Sequence, residues 1–146
     1  MRKGFALACT LLVNLILASA HAQAVVGDSI AESLSGIPGD PVRGRAIVAS
    51  RQTWLCLLCH SGPFPEERFQ GNLAPELGMS AKRLSAAQIR ARIVDASRFN
   101  PDTIMPTYYK ASNLKRVGTK WIGQPILNEQ EIEDVVAFLG TLNSQP

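Results

Sequence analysis

Histidine and cysteine are scarce in this chain of 146 residues, with two of the first and three of the second. There is no second Cys-x-x-Cys and no histidine pair, so a four-ligand zinc site cannot be completed from the usual donors. No βαβ pattern surrounds the one close cysteine pair, which removes the thioredoxin-like reading of it. Charge is also sparse: 15 basic and 12 acidic residues, with no basic stripe of the kind that binds nucleic acid. Internal repeats and low-complexity tracts are absent. The longest apolar run, Phe5 to Leu17, is too short for a comfortable membrane span.

That run does fit another purpose. Arg2 and Lys3 precede it, and the small residues Ala18-Ser19-Ala20-His21-Ala22-Gln23-Ala24 follow it, which is the layout of a secretory signal peptide. Cleavage is expected after Ala22, with Ala24 as the alternative, and Cys9 precedes most of the apolar run, which argues against a lipid anchor. Losing Arg2 and Lys3 lowers the formal net charge from +3 to +1. It also removes His21 and Cys9, leaving one histidine and two cysteines in the mature chain. No structural disulfide then competes for the thiols, and no site with two histidine ligands from one chain can form. Export to the periplasm is the expected destination.

What remains is concentrated in five residues, Cys56-Leu57-Leu58-Cys59-His60. Two cysteines separated by two residues and followed at once by histidine form the attachment pattern of a c-type haem. The two thiols add to the two vinyl groups of the porphyrin, and the adjacent His60 can bind iron as proximal ligand.

Around this motif the chain reads as helices joined by irregular loops, an all-α protein. Residues 23–38 look like a flexible lead-in, and 39–146 form the domain. Asp40-Pro41 reads as a helix cap followed by proline at the first helical position, and the helix runs through Val42, Ala46 and Ile47 toward Trp54. Gly44 within it permits close approach by another helix. Ser61 to Gly78 reads as a loop, with Phe64, Phe69 and Leu73 available to pack on a porphyrin or to fill core. Ser85 with Gln88, and Asn128 with Glu131, form capping boxes. The first helix passes Ile93 and stops before Asn100-Pro101; the second carries Ile132, Val135, Val136, Phe138, Leu139 and Leu142 at helical spacing.

The sixth iron ligand is then sought among the methionines. Met105, in Ile104-Met105-Pro106, sits far enough downstream of His60 for one helix to intervene before the chain returns across the opposite haem face. Met79 lies nearer and must cross the ring with less chain, and an open sixth position is the third alternative. The other nitrogen of His60 needs a partner to fix its tautomer, for which the Pro75 carbonyl is the candidate. Lys110, Lys115, Arg116 and Lys120 form a basic loop that could steer an anionic partner or small anion, or simply face solvent.

Asp40-Pro41 with a glycine-bearing helix, CxxCH, a proline-bearing turn, an Ile-Met-Pro loop and an aromatic-bearing last helix together resemble a class I cytochrome c. A narrower resemblance, to the sulfur-oxidation cytochromes SoxX, rests on Gly39 to Val48, Leu55 to Glu66, Gln70 to Pro75, Asn100 to Pro106 and Glu131 to Val136. It spans nearly all of residues 39–142. It implies a class I cytochrome c fold around one covalent haem c on Cys56 and Cys59, with His60 and Met105 as axial ligands and Gly44 packed near Phe138. It further implies a periplasmic electron-transfer subunit paired with a SoxA-like monohaem or dihaem cytochrome. Together the two would conjugate thiosulfate to a cysteine of a SoxYZ-like carrier, an L-cysteine S-thiosulfotransferase type of activity. The sulfur chemistry belongs to the partner in that family, and electrons leave for a small acceptor cytochrome; no catalytic residue is expected in this chain, nor a nucleic-acid or membrane partner. A free-standing electron carrier for another oxidoreductase, or a haem sensor with an open sixth position, are the alternatives. An exposed apolar patch at the haem mouth, including Pro63-Phe64-Pro65, would favour a permanent partner.

Overall fold

The structure is a computed structural model, and it describes residues 26–114 and 117–144. The expected signal peptide, with Cys9 and His21, lies outside them, as do Lys115 and Arg116 of the basic loop. The described residues are helical and contain no strand beyond one isolated bridge between Val26 and Ser29. Four α-helices carry the fold: α1 (Pro41–Ala49), α2 (Leu77–Arg83), α3 (Ala86–Asp95) and α4 (Glu129–Thr141).

Each helix begins where its capping chemistry places it. The Asp40 carboxylate accepts from the amides of Val42 and Arg43 and starts α1. Reciprocal capping boxes start α3 at Ser85/Gln88 and α4 at Asn128/Glu131. Helix α2 was not expected, because Pro75 and Gly78 read as turn residues. Glu76 supplies its cap, accepting from the amides of Gly78 and Met79 through both carboxylate oxygens. Met79 therefore sits on a helix, half exposed.

Helices α1 and α4 meet backbone to backbone. A Cβ on Gly44 would lie 1.9 Å from the Asp134 carbonyl oxygen and 2.9 Å from the Phe138 Cβ; one on Gly39 would lie 2.0 Å from the Glu133 carbonyl oxygen. No side chain fits in either gap, so glycine is required at both positions by contact rather than by backbone angle. Ile47 and Val48 of α1 join Ile132, Val135, Val136, Phe138 and Leu139 of α4 in one apolar core. Phe64 reaches the same core, buried against Phe138 with ring centroids 5.6 Å apart, under the Arg45 guanidinium 4.8 Å away.

Two acidic residues of α4 bind the rest of the chain from inside. Asp134 accepts from Arg43 Nε at 2.7 Å and from the Asp40 amide at 2.7 Å, so it serves the N-terminus of α1 directly. Burial works to raise its pKa, but the bonds from Arg43, Asp40 and Gln130 outweigh burial and hold the carboxyl below its usual range. Glu133 pairs in bidentate fashion with Arg90 of α3 at 2.7 and 2.8 Å, both side chains buried. Arg90 also donates to the Ile30 carbonyl at 2.7 Å, and Glu133 accepts from the Leu34 amide at 3.0 Å.

Residues 26–38 belong to the expected lead-in of residues 23–38, the first three of which lie outside the described residues. They lack a helical period, but Ile30 is 1% exposed and its amide donates to the Ala87 carbonyl. The segment is fixed by tertiary hydrogen bonds, which leave no periodic trace in a sequence.

Gly44→Ala is expected to lower the free energy of unfolding by roughly 1–3 kcal/mol through forced separation of two helices. Gly140→Ala, where a Cβ meets nothing within 4 Å, should instead stabilise by about 0.5–1 kcal/mol. Glu133→Gln strands the buried Arg90 charge and should cost about 3–5 kcal/mol. Denaturant melts followed by circular dichroism measure all three.

Candidate functional site

The Cys-x-x-Cys-His segment folds as a single tight turn. Cys56–Leu58 is a 3₁₀ turn, and the amides of Cys59 and His60 both donate to the Cys56 carbonyl, at 3.2 and 3.0 Å. Leu57, 1% exposed, plugs the turn into the core while its neighbours face the other way. The residue before the turn, Leu55, has φ +61°, a left-handed conformation that a branched side chain adopts at a cost of about 1–2 kcal/mol.

The following loop is laced onto this turn. Gly71 donates to the Leu57 carbonyl at 2.8 Å, Ala74 to the Cys59 carbonyl at 3.0 Å and Leu77 to the Ser61 carbonyl at 2.9 Å. A Cβ at Gly71 would sit 2.2 Å from the Leu58 carbonyl oxygen, so only glycine allows the lacing. Gln70 shapes the intervening bend: its Oε1 accepts from the Gly62 amide at 2.6 Å, and its Nε2 donates to the carbonyls of Phe64 and Glu67. Nothing in the pattern around Gln70 announces that role.

The lacing brings Pro75 beside His60. The Pro75 carbonyl lies 2.6 Å from His60 Nδ1. A carbonyl can only accept, so Nδ1 carries the proton and Nε2 of the neutral ring keeps a free lone pair, the form a metal ligand requires.

A cavity of about 570 Å³ opens beside the turn. Cys56, Cys59, His60, Pro75 and Met105 all line it, and the rest of the wall is largely apolar, from Val48 of α1, Ile93 of α3, Leu127, and Val135 and Leu139 of α4. Both cysteines are free thiols. Two thiols, one imidazole with its lone pair available and one thioether around an apolar space suit a flat, largely apolar ligand that bonds to sulfur and carries a metal able to take nitrogen and thioether donors; the haem expected from the sequence fits that description. Among the described residues no group of three or more His, Cys, Asp and Glu side chains is placed to hold a bare metal ion.

Met79 is not on the cavity wall. Leu73 is, at 71% exposure, while Phe69 is largely exposed and Phe64 is packed in the core, so neither phenylalanine faces the cavity. The apolar mouth is made instead by Leu55, Leu58, Leu73 and Ile104.

Met105 rides on a strap between α3 and α4. Before it, Asn100 and Thr103 hold the loop locally, the Thr103 hydroxyl accepting from the Met105 amide at 3.2 Å. After it, the Tyr108 amide donates to the Ile93 carbonyl, and the Tyr108 carbonyl accepts from the amides of Ile126 and Leu127 at 2.8 and 2.9 Å. The buried Tyr108 ring points its hydroxyl at the Trp54 carbonyl, 2.8 Å away, and lies 4.0 Å from Cys56 Sγ. Burial raises the pKa of the Cys56 thiol by more than the neighbouring hydroxyl lowers it, and burial likewise raises that of Tyr108. Tyr109 donates to Glu129 Oε1 at 2.6 Å, which with partial burial pushes the phenol up to about 12. Lys110 is paired with Asp95 at 3.2 Å, and Lys120 lies over the Trp121 ring, so two of the four basic residues considered for steering already have local partners.

Neither a scan against protein-family models nor a search of curated proteins finds a match. Among solved structures, the crystal structure of SoxXA from P. pantotrophus is similar: 36% sequence identity, covering 83% of this chain and 94% of that one, with a TM-score of 0.75.

The Tyr109–Glu129 bond gives the strap a dependence on pH. The folded pKa of Tyr109, about 12, lies above the ordinary 10 of a phenol. Its contribution to stability is therefore complete below pH 10 and lost as pH rises toward 12. Tyr109→Phe should remove that part of the alkaline loss, measured as the denaturation midpoint against pH.

Proposed function

The chain belongs to the SoxX-like cytochromes, with their class I cytochrome c fold, and from that premise we propose that it carries one haem c and passes electrons within a SoxAX-type complex. The observation that carries the reading is the convergence of Cys56, Cys59, His60 and Met105 on one apolar cavity, with His60 Nδ1 already engaged by Pro75.

Cys56 and Cys59 would hold the group through thioether bonds, and His60 Nε2 and the Met105 thioether would bind its iron. When bound, the haem supplies a one-electron iron couple, whose potential methionine ligation raises relative to two histidines. The chain's own residues do the rest. The Pro75 carbonyl fixes the His60 tautomer and ring plane. Val48, Ile93, Leu127, Val135 and Leu139 keep water from the cavity, which lowers the local dielectric and favours the less charged state of any redox centre there. The Tyr108 and Lys110 ties hold the strap so that Met105 stays on the cavity wall.

The sulfur chemistry falls to the partner in this reading, because the two cysteines on the cavity wall are committed to attachment and no other thiol lines it. In this reading a SoxA-like cytochrome subunit joins thiosulfate to a cysteine of a SoxYZ-like carrier in the periplasm. This chain accepts the released electrons and hands them to a small acceptor cytochrome. The exposed leucines and isoleucine at the mouth, Ile104 at 74% and Leu73 at 71%, support a lasting partner over a free-standing carrier. No helix among the described residues is long and apolar enough to cross a membrane.

Optical spectra of the protein purified from the periplasm, oxidised and reduced, test the ligand set. The oxidised protein should show the weak far-red band of methionine–iron coordination, and Met105→Ala should abolish it and admit carbon monoxide to the reduced form. A band unchanged in Met105→Ala would move the ligand elsewhere. Absence of the band in the unmodified protein, with ready carbon monoxide binding, would overturn the closed-site reading.

A further inference from the structure

The two thiols of the attachment turn are not held alike. Cys56 Sγ lies 4.0 Å from the Tyr108 hydroxyl and 3.8 Å from the Trp54 carbonyl. The hydroxyl has one hydrogen, which goes to the Trp54 carbonyl at 2.8 Å. The Cys56 S–H is therefore the donor in this cluster, a weak one, with the Trp54 carbonyl and the Tyr108 oxygen as its acceptors. Cys59 has no comparable hydrogen bond among the described residues.

Tyr108 is also firmly seated. Its ring is 6% exposed, and its backbone is tied at the amide to Ile93 and at the carbonyl to both Ile126 and Leu127. The hydroxyl thus projects from a fixed frame made of α3 and the segment just before α4. What it grips is the peptide just before Leu55, the residue in the left-handed conformation. Releasing that grip would let Leu55 relax toward an ordinary backbone angle and swing Cys56 relative to Cys59, while the lacing of Gly71 and Ala74 onto Leu57 and Cys59 stays intact.

We propose that Tyr108 is a positioning residue for covalent attachment, aiming the Cys56 thiol, and not the Cys59 thiol, into the cavity. The inference rests on the haem reading above. Attachment at each cysteine is an addition: the S–H bond breaks, sulfur bonds to one carbon of a vinyl group, the hydrogen goes to the other carbon, and no oxidant or reductant is consumed. Losing the hydroxyl should then leave a fraction of molecules joined through Cys59 alone.

The test uses Tyr108→Phe, purified with its haem, denatured and treated with iodoacetamide, with the label located by peptide mass spectrometry. In the unmodified protein neither cysteine should label. In Tyr108→Phe, Cys56 should label roughly five- to tenfold more than Cys59, the size expected of one lost hydrogen bond. The alkaline pyridine spectrum of the same sample should shift toward that of a singly attached haem. A general loosening of structure would expose both cysteines equally, and that result, or no labelling at all, overturns the proposal. Should the variant fail to fold, the unmodified reduced holoprotein decides: a slowly exchanging Tyr108 hydroxyl proton with a nuclear Overhauser effect to the Cys56 β-protons is expected, and its absence overturns the proposal. If the unmodified protein carries no covalent haem, the haem reading itself fails, which is a different result from double attachment in both proteins.

Discussion

Everything in this molecule hangs on two helices that touch through their backbones. Gly39 and Gly44 leave no room for a Cβ between the start of the domain and the carbonyls of Glu133 and Asp134. That contact sets how far α1 stands from α4, and so where Ser50 to Leu55 must emerge and where the attachment turn can begin. The cavity wall uses the same pair, since Val48 comes from one helix and Val135 and Leu139 from the other. A site for a large flat ligand is built here by first removing side chains where the helices cross.

Charge is used sparingly, and three charged side chains, Arg90, Glu133 and Asp134, are buried. Asp134 and Glu133 are consecutive, and each reaches a different part of the chain, α1 in one case, α3 and residues 30–34 in the other. A buried ion pair such as Arg90–Glu133 gains little net stability over a well-packed apolar substitute. Its value is geometric: a bidentate pair with further bonds to the Ile30 carbonyl and the Leu34 amide can form in only one arrangement. The cavity, by contrast, is lined with few polar groups, and its one titratable imidazole is fixed by a carbonyl and not by a charge. The buried ion pairs thus stand apart from the cavity, whose wall carries one carboxylate residue, Asp102.

Much of this was legible in the sequence because it is local. Asp40, Ser85/Gln88 and Asn128/Glu131 cap where short-range chemistry says they should, and the apolar spacing of α4 marks its buried face. The structure also sets the Pro75 carbonyl beside His60 and Met105 on the cavity wall, placements for which the sequence offered candidates by spacing, with Met79 or an open position as alternatives to Met105. The missed features are those that act across the chain or against local preference. Helix α2 was hidden by Pro75 and Gly78, which favour a turn until Glu76 caps the segment. Arg90 and Glu133, charged residues on amphipathic helices, look solvated until the fold brings them together. Phe64 sits between two prolines in a loop and still ends in the core, because Arg45 and Phe138 enclose it. Tyr108 gives no sign of its bond to a carbonyl more than fifty positions earlier.

The same long-range ties shape how the chain must fold. Arg43 meets Asp134 across 91 positions, and Leu34 meets Glu133 across 99. Each doubling of a closed loop adds only about 0.6 kcal/mol of entropy cost, but the ends must find each other before any of those contacts repay it. Most helical proteins of this size fold quickly through neighbouring contacts; this one joins its first helix to its last. The attachment turn, the laced loop and the strap all lie inside the ring that this meeting closes. Closing that ring is therefore what gives the cavity its walls, since Val48 stands on one side of the closure and Val135 and Leu139 on the other.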